Sequence, residues 1–186
     1  MQQLVDGLRL YHGSYTLVEC PDIAKCAKFK DFGQGFYLTS SLEQARSFAS
    51  LSLRKAKANG LVESGYKRGW VSSYLYHDQG EPLSILAFDE ADEPWLHCVV
   101  AHRKEGAFPE VLAECTAFDV IAGKIANDAT NATITTYMAG AFGPLGSSQA
   151  DEICISLLLP ERLTDQFCFR SEKALAHLAY EGGERV

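Results

Sequence analysis

The chain has 186 residues, a formal net charge of −7, 47% hydrophobic and 22% charged residues. That composition supports one folded domain over residues 1–186 with an apolar core, and it excludes a disordered chain. An acidic chain is short of the Lys and Arg that neutralise a phosphate backbone, so nucleic acid is disfavoured as a partner. No apolar run reaches the length needed to cross a bilayer, so no membrane is expected.

The first predicted strand is Leu8-Arg-Leu-Tyr-His12, followed by a loop with Pro21 and two lysine-flanked cysteines. Gly35-Phe-Tyr-Leu-Thr39 reads as a second strand, because aromatic and β-branched side chains suit a half-buried pleated surface. Ser40-Ser-Leu-Glu43 has the form of a capping box, with Ser40 at the N-cap. Leu42, Ala45, Phe48, Ala49, Leu53 and Ala56 then fall on one helical face, and Gly60 ends the helix. The basic stretch from Leu53 to Gly60 reads as the solvated end of that helix, where cations complement the macrodipole.

Residues 70–77 and 83–88 read as two strands of a hairpin turning at Asp78-Gln-Gly80. A helix follows, opened by acidic residues and Pro94 and stopped by Gly106, with Trp95, Cys98, Val99 and His102 on one face. Phe118–Ile125 is a further strand, and residues 130–140 and 148–159 are short helices. Asp165–Phe169 is the last predicted strand, and Ser171 caps a final helix running through Leu175 to Leu178. Helices mixed with short strands, without a regular βαβ rhythm, predict an α+β fold with a mostly antiparallel sheet.

Several motifs exclude chemistries. Residues 139–148 lack the Gly-Lys-Ser/Thr ending of a phosphate loop and carry Pro144, so they read as a turn. His97 and His102 are five apart and do not share a helical face, so no metal site is expected. No Gly-x-Ser-x-Gly elbow supports a serine hydrolase. The six cysteines at 20, 26, 98, 115, 154 and 168 include no Cys-x-x-Cys pair. Without a charged-then-apolar N-terminal pattern they read as reduced thiols in a cytoplasmic protein, with delivery into another cell by a signal-independent route left open.

The remaining block is His12-Gly13-Ser14, Gly33-Gln34-Gly35-Phe36-Tyr37 and Phe48. Each part alone is weak: a histidine at a strand end, a glycine-flanked strand entry, a helix phenylalanine. Together they resemble the ADP-ribosyltransferase fold, in the branch of diphtheria toxin and the poly(ADP-ribose) polymerases. The whole chain is also similar to an uncharacterised bacterial family assigned to that fold, through these blocks, Ala126-Asn127-Asp128, and Gln166-Phe-Cys-Phe-Arg-Ser-Glu-Lys-Ala-Leu175.

The resemblance implies a split, mostly antiparallel sheet and NAD as substrate. It implies that His12 bonds the nicotinamide ribose, Gly13 and Ser14 hold the carboxamide, Gly35 belongs to the NAD-binding residues, and Tyr37 and Phe48 sandwich the nicotinamide ring. The glutamate usual at the later strand corresponds to Gln166, which brings no negative charge. Asp128 is the leading candidate for the missing carboxylate, ahead of Glu152, Glu161 and Glu172; capping of the next helix by Asn127 and Asp128 stays open beside it. The expected activity is mono-ADP-ribosylation of a protein target, at a hydroxyl or carboxylate, in a bacterial toxin or effector. The alternatives are an inactive NAD- or ADP-ribose-binding module and an NAD glycohydrolase.

Overall fold

The computed structural model describes residues 2–125, 128–158 and 163–186, with the side chains of 128 and 129 left out. Two sheets carry the fold. The first has strand order β1-β3-β7, from Arg9–Ser14, Trp70–Tyr76 and Leu178–Arg185. The second has order β2-β6-β5-β4, from Phe36–Leu38, Asp165–Phe169, Val120–Lys124 and Ile85–Ala87. All pairings are antiparallel except β4 with β5, which makes the protein α+β.

The alternation of each strand sorts its side chains between two cores. Leu10, Tyr74 and Tyr76 of the first sheet meet Phe36, Leu38, Val120, Ala122, Phe167 and Phe169 of the second. The opposite face of the second sheet, with Ile121 and Cys168, is covered by helices. These are α2 (Glu93–Arg103), α3 (Pro109–Cys115), α4 (Asp128–Met138) and α5 (Ser148–Leu158). Helix α1 (Leu42–Ala58) packs Ala45 and Ala49 on Val71 of the first sheet. It comes so close to β1 that a Cβ on Gly13 would lie 2.0 Å from Ala45 O. The two sheets join at one bridge, where Tyr11 and Thr39 exchange both backbone hydrogen bonds, at 2.8 and 3.0 Å.

Four expectations change. The N-cap of α1 is Ser41, whose hydroxyl accepts from Gln44 N at 3.2 Å; Thr39 Oγ1, donating to Gln44 Oε1, takes that side chain out of the box. β3 and β4 form no hairpin. They belong to different sheets, because β3 is claimed on both edges by β1 and β7. The helix after Ser171 stops at Leu175 as α6 (Glu172–Leu175), and the chain turns into β7. That strand was hidden by its Gly182-Gly183 pair and its exposed glutamate. Helix α3 was not expected at all.

Candidate functional site

The ends of β1 and β2 are held together by the Tyr11–Thr39 bridge, and this places His12 against β2. His12 Nδ1 lies 2.8 Å from the Tyr37 carbonyl oxygen. A carbonyl only accepts, so Nδ1 carries the proton. The ring also sits on Phe36, with centroids 4.5 Å apart. Burial lowers the His12 pKa, only partly offset by the Tyr37 bond. The ring is therefore neutral near pH 7, and Nε2 is a hydrogen-bond acceptor. His12 is only half-buried, and Nε2 has no protein partner among the described residues.

Tyr37 points to the other face of β2, as strand alternation requires. Its hydroxyl donates to Gly33 O at 2.8 Å and accepts from Phe32 N at 3.0 Å. Burial, with Cys168 and Asp31 nearby, raises the phenol well above its ordinary value, so it stays neutral. Phe48 is half-buried on α1 and lies outside the three apolar clusters. Among the described residues its ring does not stack on Tyr37.

The glycines of the block have packing reasons. Gly13 admits α1, as described. At Gly35 a Cβ would fall 2.5 Å from Cys168 Sγ. At Gly33, with φ +77°, it would fall 2.5 Å from His102 Cδ2. A side chain at Gly13 would meet the backbone of α1, so the packing of α1 on β1 requires a glycine there. Ser14 accepts from Thr16 N at 3.5 Å, which leaves its hydroxyl weakly engaged.

Gln166 opens the buried part of β6, on the same face as Cys168, which is the register partner of Tyr37. Its Nε2 donates to Asp31 Oδ2 at 2.8 Å and to Lys124 O at 3.3 Å. Both amide hydrogens are thereby used, and Oε1 is left as an acceptor. Asp31 is buried, and its Oδ1 takes the Arg103 guanidinium through Nε at 3.0 Å and through a second nitrogen. Arg103 also donates to Asn131 Oδ1 at 2.8 Å.

Asp31, Arg103 and Asn131 were missed in the sequence. Asp31 follows Lys28 and Lys30 and reads as surface, and Arg103 reads as a cation at a helix end. The usable signal was that Asp31 directly precedes the Phe32-Gly33 entry to the tyrosine strand. Asp128 opens α4, but its side chain lies outside the described residues, as do Asn127 and Glu161. Glu152 is exposed on α5, and Glu172 stands in the first turn of α6.

The structure thus brings Tyr37, Gln166 and Asp31 to one face of the second sheet. His12 is tied to them through the Tyr37 backbone. His97 and His102 go to separate clusters, His97 with Asp151 and His102 with Cys98. Among the described residues, no helix is long and apolar enough to cross a membrane.

The class defined so far is an α+β protein with two facing sheets and a fixed, neutral imidazole where they join. Residues 8–180 match the model of a family described as a protein of unknown function, DUF3990. The match covers most of the chain, which belongs to that family. No curated protein matches it.

Proposed function

We propose that the protein is an NAD-consuming ADP-ribosyltransferase that modifies a side chain of a protein target, in the role of a bacterial toxin or effector. The observation that carries this reading is the locked imidazole of His12. Its Nδ1–H is spent on the Tyr37 carbonyl, so its unpartnered Nε2 accepts a hydrogen bond from a ligand hydroxyl. A ribose supplies such hydroxyls.

NAD is the substrate on this reading. Breaking its nicotinamide–ribose bond builds positive charge on the sugar, as in glycoside hydrolysis. His12 orients the ribose through Nε2. Phe48, half-exposed beside β1, offers a face to the flat cationic ring. Asp31, itself paired with Arg103, fixes the orientation of the Gln166 amide it holds. The Gln166 Oε1 accepts a hydrogen bond from a hydroxyl of the sugar or the acceptor; an amide oxygen takes no proton.

The residues fit NAD in part. The tied-back hydroxyl of Tyr37 keeps its ring on the helix-covered face, so Tyr37 serves the site through the carbonyl that holds His12.

A second reading is a module that binds NAD or ADP-ribose without turnover. It is favoured by Gln166, whose amide hydrogens are both consumed inside the protein. Incubation with labelled NAD, alone and with bacterial and eukaryotic lysates, separates the readings. Label on a discrete protein establishes transfer. Free nicotinamide without label indicates a glycohydrolase. Saturable NAD binding with neither product establishes the module, and no binding at all rejects the reading.

A further inference from the structure

Helix α2 holds a donor cluster that the NAD reading does not use. Cys98 and His102 are four residues apart and share a helical face. Cys115, the last residue of α3, meets them there. Cys98 Sγ lies 3.5 Å from Cys115 Sγ and 3.8 Å from His102 Nδ1. All three donor atoms fall within 4.8 Å of one another.

Those spacings can be set against a metal polyhedron. Tetrahedral zinc, with bonds of about 2.3 Å to sulfur and about 2.1 Å to nitrogen, has S–S edges near about 3.8 Å and S–N edges near about 3.6 Å. The two edges on Cys98 differ from these by a few tenths of an ångström, and the third, between Cys115 and His102, is within 4.8 Å. A pair of thiols and an imidazole is also the donor set that zinc-class ions prefer over hard cations.

Burial points the same way. Cys98 is 0%, Cys115 2% and His102 8% exposed. His102 Nε2 is buried with no hydrogen-bond partner among the described residues. The ring stands against Gly33, where a Cβ would lie 2.5 Å from its Cδ2, so the imidazole is held toward the thiols by the backbone opposite. The Arg170 guanidinium donates to the Cys115 carbonyl beside the cluster.

The neighbouring cluster of Glu93, His97 and Asp151 is different. There the buried Asp151 is already satisfied by the Tyr137 hydroxyl and by His97 Nε2 at 2.9 Å. It offers no stranded donor.

We propose that Cys98, His102 and Cys115 form a binding site for a divalent zinc-class ion that clamps α2 to α3. Binding one ion releases the two thiol protons to solvent, and no electrons move. His102 Nδ1 gives up its 2.8 Å bond to Cys98 O, its proton moves to the unpartnered Nε2, and its lone pair goes to the metal. Three protein donors leave one tetrahedral position.

The test uses the full chain, purified under reducing conditions, stripped with chelator and titrated with Co(II), then Zn(II). The expected result is one equivalent bound, with thiolate-to-cobalt charge-transfer absorption that Zn(II) abolishes. Zn(II) should raise Tm by about 5 °C or more. Cys98→Ser and Cys115→Ser should each lose the absorption, and His97→Ala should keep it.

Because a buried serine can unfold the chain, the wild-type spectrum decides by itself. Binding without thiolate absorption, or no stoichiometric binding, overturns the site. Loss of binding in His97→Ala moves the ion to the Glu93 cluster and overturns it as well. A protein that instead loses the two thiol hydrogens to a Cys98–Cys115 disulfide on mild peroxide treatment, and binds no metal when reduced, makes the pair a redox element rather than a metal site.

Discussion

The two faces of the second sheet use polar groups in opposite ways. On the face covered by α2 to α5, Asp31, Gln166, Arg103 and Asn131 consume one another's hydrogen bonds, and Tyr37 is tied to the loop before it. Where the sheets join, His12 commits one ring nitrogen to the backbone and leaves the other open. Satisfied buried networks rigidify a fold, whereas a fixed group with spare hydrogen-bonding capacity is suited to a ligand. The interior network therefore reads as the support of the candidate site, and the β1 end as its working edge.

Breaking the support should have the largest effect on stability. Arg103→Ala leaves the Asp31 carboxylate buried beside Gln166, so unfolding free energy should drop by about 3 kcal/mol or more. Chemical denaturation checks this, and an unchanged midpoint would remove the network from the frame. Gly13→Ala should be similarly severe, about 3 kcal/mol, because its Cβ meets the backbone of α1 rather than a movable side chain.

The opposite signature is expected at the working edge. His12→Ala should leave the protein folded, yet slow NAD turnover by about a hundredfold, the effect of removing one oriented hydrogen-bonding group. Equal loss of folding and turnover would erase the distinction between the two regions.

Gln166→Glu sharpens the comparison further. The new carboxylate would face Asp31 across the 2.8 Å now spanned by an amide hydrogen. Two buried carboxylates that close cannot both ionise, so the variant should lose about 2 kcal/mol near neutrality. The folded-state pKa of the new group is raised. Its deficit should therefore shrink as pH falls toward the carboxylate range, and denaturation at two pH values reads the sign.

pH should also act on the wild type. Burial is the first cause that lowers the pKa values of both His12 and His102 below 6.5. Between the lowered folded values and the unfolded one, only the unfolded chain binds the proton. Stability is then full above about pH 6.5 and falls as pH drops through that window. His12→Gln should flatten part of the slope.

The smallest effect is expected at Phe48. Its ring is half-buried and outside the core, so Phe48→Ala should weaken NAD binding about tenfold, close to 1.4 kcal/mol, with little change in stability. Calorimetric titration with NAD measures it, and unchanged affinity would take Phe48 out of the site.

Much of this was legible in the chain itself. Local patterns of residue type and period located β1, β2, β3, β5, β6, α1 and α2. Tyr74 and Tyr76 alternate with exposed or half-exposed residues, and Ala45, Ala49, Leu53 and Ala56 recur at helical spacing. What escaped was decided by partners distant in sequence. β7 takes its register from β3 across more than a hundred residues, and Asp31 becomes a buried anchor only when α2 brings Arg103 to it. Cys98 and Cys115 carry no recognisable spacing until α3 folds back on α2.

The local sequence determined most of the segments that become helix or strand and the compact block from His12 to Phe48. Those follow from interactions a few residues in range. Only the tertiary structure decided that His12 is locked on Tyr37, that Gln166 answers to Asp31, and that two thiols share a site with His102. A hydrogen bond or a coordination edge depends on distances of a few ångströms between chain segments, and only folding sets those distances.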